Sequence, residues 1–177
     1  IRITVFRQEG GLYTPESNKI SWLMESIPLS DEYFRFEAKG LTVDIFDTVH
    51  KPVHILSNVK TTNALIFVLA GIYRKDNKLD DCIILNQYGR VTECISSNIF
   101  IVKEKLILTP ALSEGCIEGT MRNTVMNLAC KKGYEVIEKG VLEKNLVEAE
   151  EIFLTNAIQG IRWVAAYKDR RYYNFAS

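Results

Sequence analysis

Short apolar runs bounded by polar and turn residues recur along the chain, and in two long stretches the apolar spacing becomes that of a helix. Residues 1–7 and 20–25 read as strands, with Gly10-Gly11 between them as a turn signal. Residues 28–40 are polar, from Pro28, Ser30, Asp31 and Glu32 to Lys39-Gly40, and read as a connecting loop. A strand is predicted over 41–46, where Val43 and Ile45 alternate against Thr42 and Asp44. Beyond Pro52 an apolar run at 53–56 leads into Ser57-Asn58-Val59-Lys60. Leu65, Val68, Leu69 and Ile72 then recur at helical spacing on one face, widened by Ala64 and Ile66. Thr61, Thr62 and Asn63 are residues that start a helix, and Lys75-Asp76-Asn77 end it.

The second half repeats this vocabulary. Strands are predicted at 82–86, 91–93, 98–102 and 106–109, with turns at Gln87-Tyr88-Gly89-Arg90 and 103–105. An amphipathic helix follows at 120–132, with Met121, Val125, Leu128 and Ala129 on its apolar side. A strand at 134–137, a short helix at 142–149 and strands at 151–154 and 161–167 complete the pattern. The fold class is mixed α/β (α+β) with many hairpins. It lacks the regular strand–helix alternation of a dinucleotide-binding fold, and no GxGxxG occurs.

Composition narrows the function classes. The 177 residues are 47% hydrophobic and 25% charged, which places the chain in the globular range and excludes general disorder. Lys plus Arg and Asp plus Glu both number 22, so there is no basic excess of the kind a nucleic-acid binder shows. The longest apolar stretch, 64–72, falls well short of the ~18–20 residues of a membrane span. No secretory signal is present at the start, and the expected location is the cytoplasm. Cys82, Cys94, Cys116 and Cys130 have no CxxC spacing and no neighbouring His, so free thiols in a reducing compartment are expected rather than a zinc site. His50 and His54 flank Pro52 and read as loop residues; no metal is expected. The chain opens at Ile1 inside a strand and closes on Arg170-Arg171-Tyr172-Tyr173-Asn174-Phe175-Ala176-Ser177 without a final helix, so it is expected to be part of a longer protein.

Three places could carry chemistry. Lys60 stands where an apolar run feeds a helix, either as an exposed loop lysine or as a partly desolvated amine able to act as nucleophile or Schiff base. Glu93 lies in Gly89-Arg90-Val91-Thr92-Glu93-Cys94-Ile95-Ser96-Ser97-Asn98-Ile99-Phe100. A buried carboxylate there would need a cation or an N–H donor: an Arg, or a protonated pyridine nitrogen. Gly115-Cys116-Ile117-Glu118-Gly119-Thr120-Met121-Arg122 opens the second helix, where free N–H groups can face an anion unless Thr120 simply caps them. Leu154-Thr155-Asn156-Ala157 closes a strand with similar small polar residues and could also cradle a phosphate.

The ordered set of these motifs, Lys60, then Glu93 in its Asn98-Ile99-Phe100 hairpin, then Gly119-Thr120-Met121-Arg122, resembles the class IV aminotransferases, the fold-type IV pyridoxal-phosphate enzymes. The resemblance runs from Arg2 to about Tyr167. It implies a hairpin-rich sheet or pseudo-barrel with flanking helices. It makes residues 1–28 the last strands of a truncated small N-terminal domain, 29–40 an interdomain loop, and 41–177 the cofactor-binding large domain. By this resemblance Lys60 holds pyridoxal 5'-phosphate as a Schiff base and moves the Cα proton. Glu93 pairs with the pyridine nitrogen, the N–H groups of Thr120 and Met121 hold the phosphate, and Asn156 and Ala157 lie beside the phosphate and the substrate carboxylate. An arginine that helps hold the phosphate, and a C-terminal helix, belong to parts of the family absent here. A homodimer and a small amino-acid-like substrate are implied, with neither nucleic acid nor membrane as partner.

Within the family, the stretch from Ile3 to Tyr13, with Gly10-Gly11 after Arg7, looks like that of the 4-amino-4-deoxychorismate lyases. Arg2 and Asn156 fall where that lyase places substrate-recognising residues. Against this, Leu12 stands in place of the lyase-type arginine after Gly-Gly. The Arg-x-His trap of D-amino acid aminotransferases is missing, and Thr155-Asn156-Ala157 replaces the Gly-Thr-Ala type of turn of branched-chain enzymes. The expectation is the lyase, releasing pyruvate to leave 4-aminobenzoate. The alternatives are a branched-chain or D-amino acid aminotransferase, and a non-catalytic member that keeps the fold.

Overall fold

The short apolar runs mostly form strands and the two long segments of helical spacing form helices. A computed structural model describes residues 1–29 and 34–174. Of the expected connecting loop at 28–40, residues 30–33 lie outside the described residues, as do 175–177; the rest of that loop carries no helix or strand. The chain divides into two units, Ile1–Tyr33 and Phe34–Ser177.

In the first unit, β1 (Arg2–Arg7) and β2 (Ile20–Glu25) pair antiparallel, from Arg2 opposite Glu25 to Arg7 opposite Ile20. The Arg2 guanidinium donates twice to Glu25 Oε2, at 2.8 and 2.6 Å.

The second unit is a nine-stranded sheet with helices. Its strands are β3 (Leu41–Lys51), β4 (Asp81–Asn86), β5 (Val91–Cys94), β6 (Asn98–Lys103), β7 (Leu106–Pro110), β8 (Glu135–Lys139), β9 (Glu151–Asn156), β10 (Gly160–Tyr167) and β11 (Arg170–Arg171). Their order is β5-β4-β3-β10-β9-β6-β7-β8, with β11 beside β10. The helices are α1 (Leu65–Asp76), α2 (Thr120–Lys131) and α3 (Glu143–Val147). α1 connects parallel β3 and β4, and α2 connects parallel β7 and β8, as a parallel pair requires a crossover. The remaining neighbours are mostly hairpin-like antiparallel pairs. The core beneath the sheet is built from β-branched and aliphatic side chains, among them Val43, Ile83, Ile99, Ile101, Ile152 and Leu154.

Several elements depart from the pattern. β3 runs to Lys51 rather than stopping at Phe46, across a register break and four exposed residues. The run at 53–56 is a turn. The stripe Leu65, Val68, Leu69 and Ile72 on α1 is exposed, between 45 and 74% for each residue. α1 instead packs through Ile66, Phe67, Ala70 and Tyr73 onto Phe46, Cys82 and Ile84. On α2, Val125 and Ala129 are buried, whereas Leu128 is exposed.

α2 is the element that sets the site. Val125 and Ala129 pack on Phe100, Val102, Ile107 and Phe153, where the two phenylalanine rings stack 5.0 Å apart. Arg122 lies on the same buried face and donates to Pro110 O at 3.0 Å and to the Glu138 carboxylate. Gly133, at φ +83°, follows the C-cap in the left-handed conformation that glycine adopts without strain. With its body fixed, α2 presents its N-terminus at the sheet end where β6 begins and β9 finishes, with Asn98 paired to Thr155.

Candidate active site

A cavity of about 500 Å³ opens at that end of the sheet. Lys60, Glu93, Thr120, Met121, Asn156 and Ala157 all line it, so the structure brings together six of the seven residues singled out from the sequence. The seventh, Arg2, belongs to the first unit and is paired with Glu25. Among the described residues, the lining's one further charged residue besides Lys60 and Glu93 is Glu118; Ile95, Ile117, Met121 and Ile158 supply apolar wall.

Glu93 is the buried anion of the site, 3% exposed at the end of β5. Its neighbours answer the need for a cation and an N–H donor, but the cation is neither an arginine nor Lys60. Lys51 Nζ lies 2.5 Å from Glu93 Oε1 and 3.1 Å from Ser57 O, and the backbone N–H of Ile117 donates to Glu93 Oε2 at 3.1 Å. Burial pushes the Glu93 carboxyl up from the usual carboxylate range; the Lys51 charge and hydrogen bond, the Ile117 N–H and the more distant Lys60 pull it back. Lys60 itself is exposed and, among the described residues, has no hydrogen-bond partner. It borders a second cavity of about 510 Å³ as well, shared with Lys51, His54 and Thr61.

The far side of the cavity is built for an anion. The first N–H groups of a helix have no intrahelical acceptor. At α2 the N-cap is Gly119, extended at φ −73° and ψ 137°, and no side chain caps it. Thr120 therefore does not cap the helix, and its hydroxyl is not spent on the N–H groups it adjoins. Thr155, 1% exposed, is a lining residue of the same cavity, and among the described residues its buried hydroxyl has no hydrogen-bond partner. An orphaned buried hydroxyl costs about 1–3 kcal/mol unless something satisfies it. Free helix N–H groups, the helix dipole and an orphaned hydroxyl form a donor set that suits a phosphate.

Asn156 is differently placed. Its Oδ1 accepts from the N–H groups of Ile158 and Gln159 at 2.9 and 2.7 Å, and its Nδ2 donates to Ser97 Oγ at 3.1 Å. The side chain is committed to the turn after β9. Cys94 and Cys116 stand near Glu93 as buried neutral thiols; burial pushes Cys94 well up and Cys116 up to about 11. Among the described residues no group of three or more His, Cys, Asp or Glu could hold a metal ion.

Sequence reasoning missed Lys51 and Thr155. Lys51 sits beside Pro52 beyond the last alternating pair of β3 and 42 residues from its partner, so no local spacing announces it. Thr155 was part of a noted motif, but only burial reveals that its hydroxyl is orphaned.

The site's donor set fits the pyridoxal phosphate implied by the sequence resemblance: a carboxylate, an amine and a phosphate cradle around one cavity. Comparison with known proteins agrees. The family profile for amino-transferase class IV matches residues 1–167. A protein of Methanocaldococcus jannaschii that carries a branched-chain-amino-acid aminotransferase name is 32% identical over 158 residues, 88% of this chain and 54% of that protein. The aminodeoxychorismate lyase of Vibrio harveyi is 26% identical over 129 residues, 73% of this chain and 48% of that one. The crystal structure of the branched-chain aminotransferase of Thermoproteus uzoniensis with norvaline superimposes with a TM-score of 0.75 at 26% identity, covering 88% of this chain and 51% of the other. The chain thus spans about half the length of the relatives it matches. The fold class expected from the sequence is the one found, and the chain belongs to the amino-transferase class IV family.

Proposed function

We propose that the protein is a pyridoxal-phosphate-dependent aminotransferase acting on an α-amino acid with an aliphatic side chain. The observation that carries this reading is the convergence of Lys60, Glu93, the α2 N-terminus and the orphaned Thr155 hydroxyl on one cavity. When bound, the cofactor supplies an electron sink for negative charge at the substrate Cα. Lys60 is the amine that would hold the cofactor covalently and, once released by substrate, move the proton at Cα. Glu93 would accept a hydrogen bond from the ring nitrogen. The N–H groups of Thr120 and Met121 and the Thr155 hydroxyl would hold the phosphate, and Ala157 would border it. Ile95, Ile117, Met121 and Ile158 would face the substrate side chain and keep water from it.

The lyase expectation rested on the stretch from Ile3 to Tyr13, on Arg2 and on Asn156. The Asn156 side chain is engaged by the N–H groups of Ile158 and Gln159 and by the Ser97 hydroxyl rather than held free for a substrate. This engagement favours transamination. The lyase remains the second reading, supported by the Vibrio harveyi relative. The test is to supply the full protein, loaded with pyridoxal phosphate, with L-leucine and 2-oxoglutarate, and separately with 4-amino-4-deoxychorismate. Glutamate formed only in the first reaction supports the transaminase. Pyruvate released in the second without a keto acid supports the lyase. Neither product, or a cofactor still covalently held after Lys60→Ala, overturns the assigned site.

We also propose a homodimer, for which the exposed apolar stripe of α1 is the candidate face; a monomer of full activity by light scattering refutes it. Residence in the cytoplasm is the companion proposal. All four cysteines are free, and no helix among the described residues is long and apolar enough to cross a membrane.

A further inference from the structure

Lys51 is the cation that no sequence pattern announced, and its position defines a task. It closes β3 at 8% exposure, and its ammonium also lies over the Phe67 ring, 5.6 Å from the centroid. One ammonium thus bridges Ser57 O, Glu93 Oε1 and an aromatic face, while Ile117 N–H fixes Oε2. The titratable groups around Glu93 are Lys51 from β3, Lys60 from the segment before α1, the Cys94 thiol on its own strand and the Cys116 thiol before α2. Burial keeps both thiols neutral, Glu118 stands on the wall of the same cavity, and Lys51 is the charged group in contact with Glu93.

A carboxyl group facing a pyridine nitrogen shares one proton with it. Away from water the neutral arrangement, carboxylic acid donating to bare nitrogen, is favoured because it separates no charge. A fixed cation on the carboxylate reverses that preference: the anion is stabilised in place, and the proton crosses to the ring. Resting on the cofactor reading above, we propose that Lys51 is a positioning residue that keeps Glu93 ionised, so that the shared proton lies on the ring nitrogen of pyridoxal phosphate. Lys51 does not touch the reacting atoms; it acts through Glu93. A protonated ring draws electrons from Cα more strongly than a neutral one, which links the cation to the rate of proton removal.

The test is ¹⁵N NMR of the full protein loaded with ring-¹⁵N pyridoxal phosphate near neutral pH. Wild type and Lys51→Arg are expected to show a protonated ring nitrogen. Lys51→Met and Lys51→Gln are expected to show the unprotonated one; Gln keeps a hydrogen-bond donor and so separates charge from bonding. A merely structural role for Lys51 would lower stability without moving this resonance. In the cofactor-free wild type, the ¹³C resonance of the Glu93 carboxyl should report an ionised group at neutral pH, and this measurement needs no variant to fold. A protonated Glu93 there overturns the proposal. So does a ring nitrogen that stays protonated in the neutral variants or loses its proton in wild type or Lys51→Arg. Failure of the underlying cofactor reading looks different: wild type then takes up no pyridoxal phosphate, or Lys60→Ala still holds it covalently.

Discussion

Gly119 is the tightest point in the candidate site, and its replacement tests how β6 and α2 share that space. A methyl group built on Gly119 would stand 2.2 Å from Asn98 Oδ1 and 3.6 Å from Arg122 Cβ. The backbone φ there is −73°, a value any residue adopts, so only room demands glycine. Asn98 is 7% exposed, and its Nδ2 donates to Ile117 O at 2.8 Å. To admit the methyl, Oδ1 must retreat by more than about an ångström, which overpacking of this kind makes worth about 1–3 kcal/mol. Loosening the Asn98–Ile117 hydrogen bond adds about 1 kcal/mol. Alanine is also a poorer N-cap than glycine, which adds a few tenths. Gly119→Ala should therefore lower unfolding free energy by about 2–4 kcal/mol.

The decisive measurement is a double-mutant cycle by urea denaturation. Asn98→Ala removes the atom that the new methyl meets. In that background Gly119→Ala should cost less than about 1 kcal/mol, leaving a coupling of about 2 kcal/mol between the positions. If the two costs add to within about 0.5 kcal/mol, the glycine is not there for Asn98 and the reasoning fails.

Three further outcomes follow from the buried and paired charges. Glu93→Gln removes the counter-charge of Lys51 and should destabilise the cofactor-free protein by about 3–5 kcal/mol in chemical denaturation, whereas Lys51→Met combined with Glu93→Leu should recover most of the loss. Burial raises the Asp81 carboxyl above its ordinary 3.8, with the Cys82 and Ile95 N–H groups opposing that shift. The folded state therefore holds this proton more tightly, and its contribution to stability falls as pH rises from 3.8 through the raised value. Asp81→Asn should lack that fall, and parallel stability–pH curves for variant and wild type would count against it. Glu143 has the opposite sign: hydrogen bonds from Lys168 at 2.7 Å and the Tyr167 hydroxyl at 2.6 Å hold its carboxyl below the ordinary 4.5. Its contribution is complete above 4.5 and is lost as pH falls through the lowered value, so Glu143→Gln should cost under about 1 kcal/mol at neutral pH and nothing in strong acid.

The elements were legible because each has a local cause. The short apolar runs at 82–86 and 98–102, and the turn residues between them, act over a few neighbours, and strands formed there. Lys60, Glu93 and the Gly119-Thr120 helix start could be named as chemistry because their order along the chain resembles that of the class IV aminotransferases; each position alone was equally compatible with a structural role. Lys51 could not be named. Residues 47–50 break the alternation, Pro52 follows, and the strand continues to Lys51 only because β4 lies beside it, pairing Lys51 with Asn86. A pairing that depends on a neighbouring strand leaves no trace in local spacing. The need for a cation at Glu93 was readable from the cost of burying a carboxylate, but its identity came from topology.

The α1 stripe shows a second limit of pattern reading. A run of apolar residues at helical spacing states that a helix has an apolar face; it does not state what that face meets. On α1, the residues that meet the sheet are Ile66, Phe67, Ala70 and Tyr73. The more regular series, Leu65, Val68, Leu69 and Ile72, faces outward. Both series are apolar, so the helix has no polar side of its own over these turns. Helices apolar all round are buried on more than one side. Val59, exposed in the segment before α1, lines one cavity with Leu65 of that stripe. Exposure of four large aliphatic side chains at roughly half their area or more is costly in water, at about 25 cal/mol per Å², so the sequence retains them against a persistent penalty. The same face is the one proposed for a second copy. A charge placed at its centre, Val68→Asp, should leave the α1 contacts with Phe46 and Ile84 intact and change the assembly state seen by light scattering. A dimer unchanged by that substitution would mean that the outward stripe is not the interface.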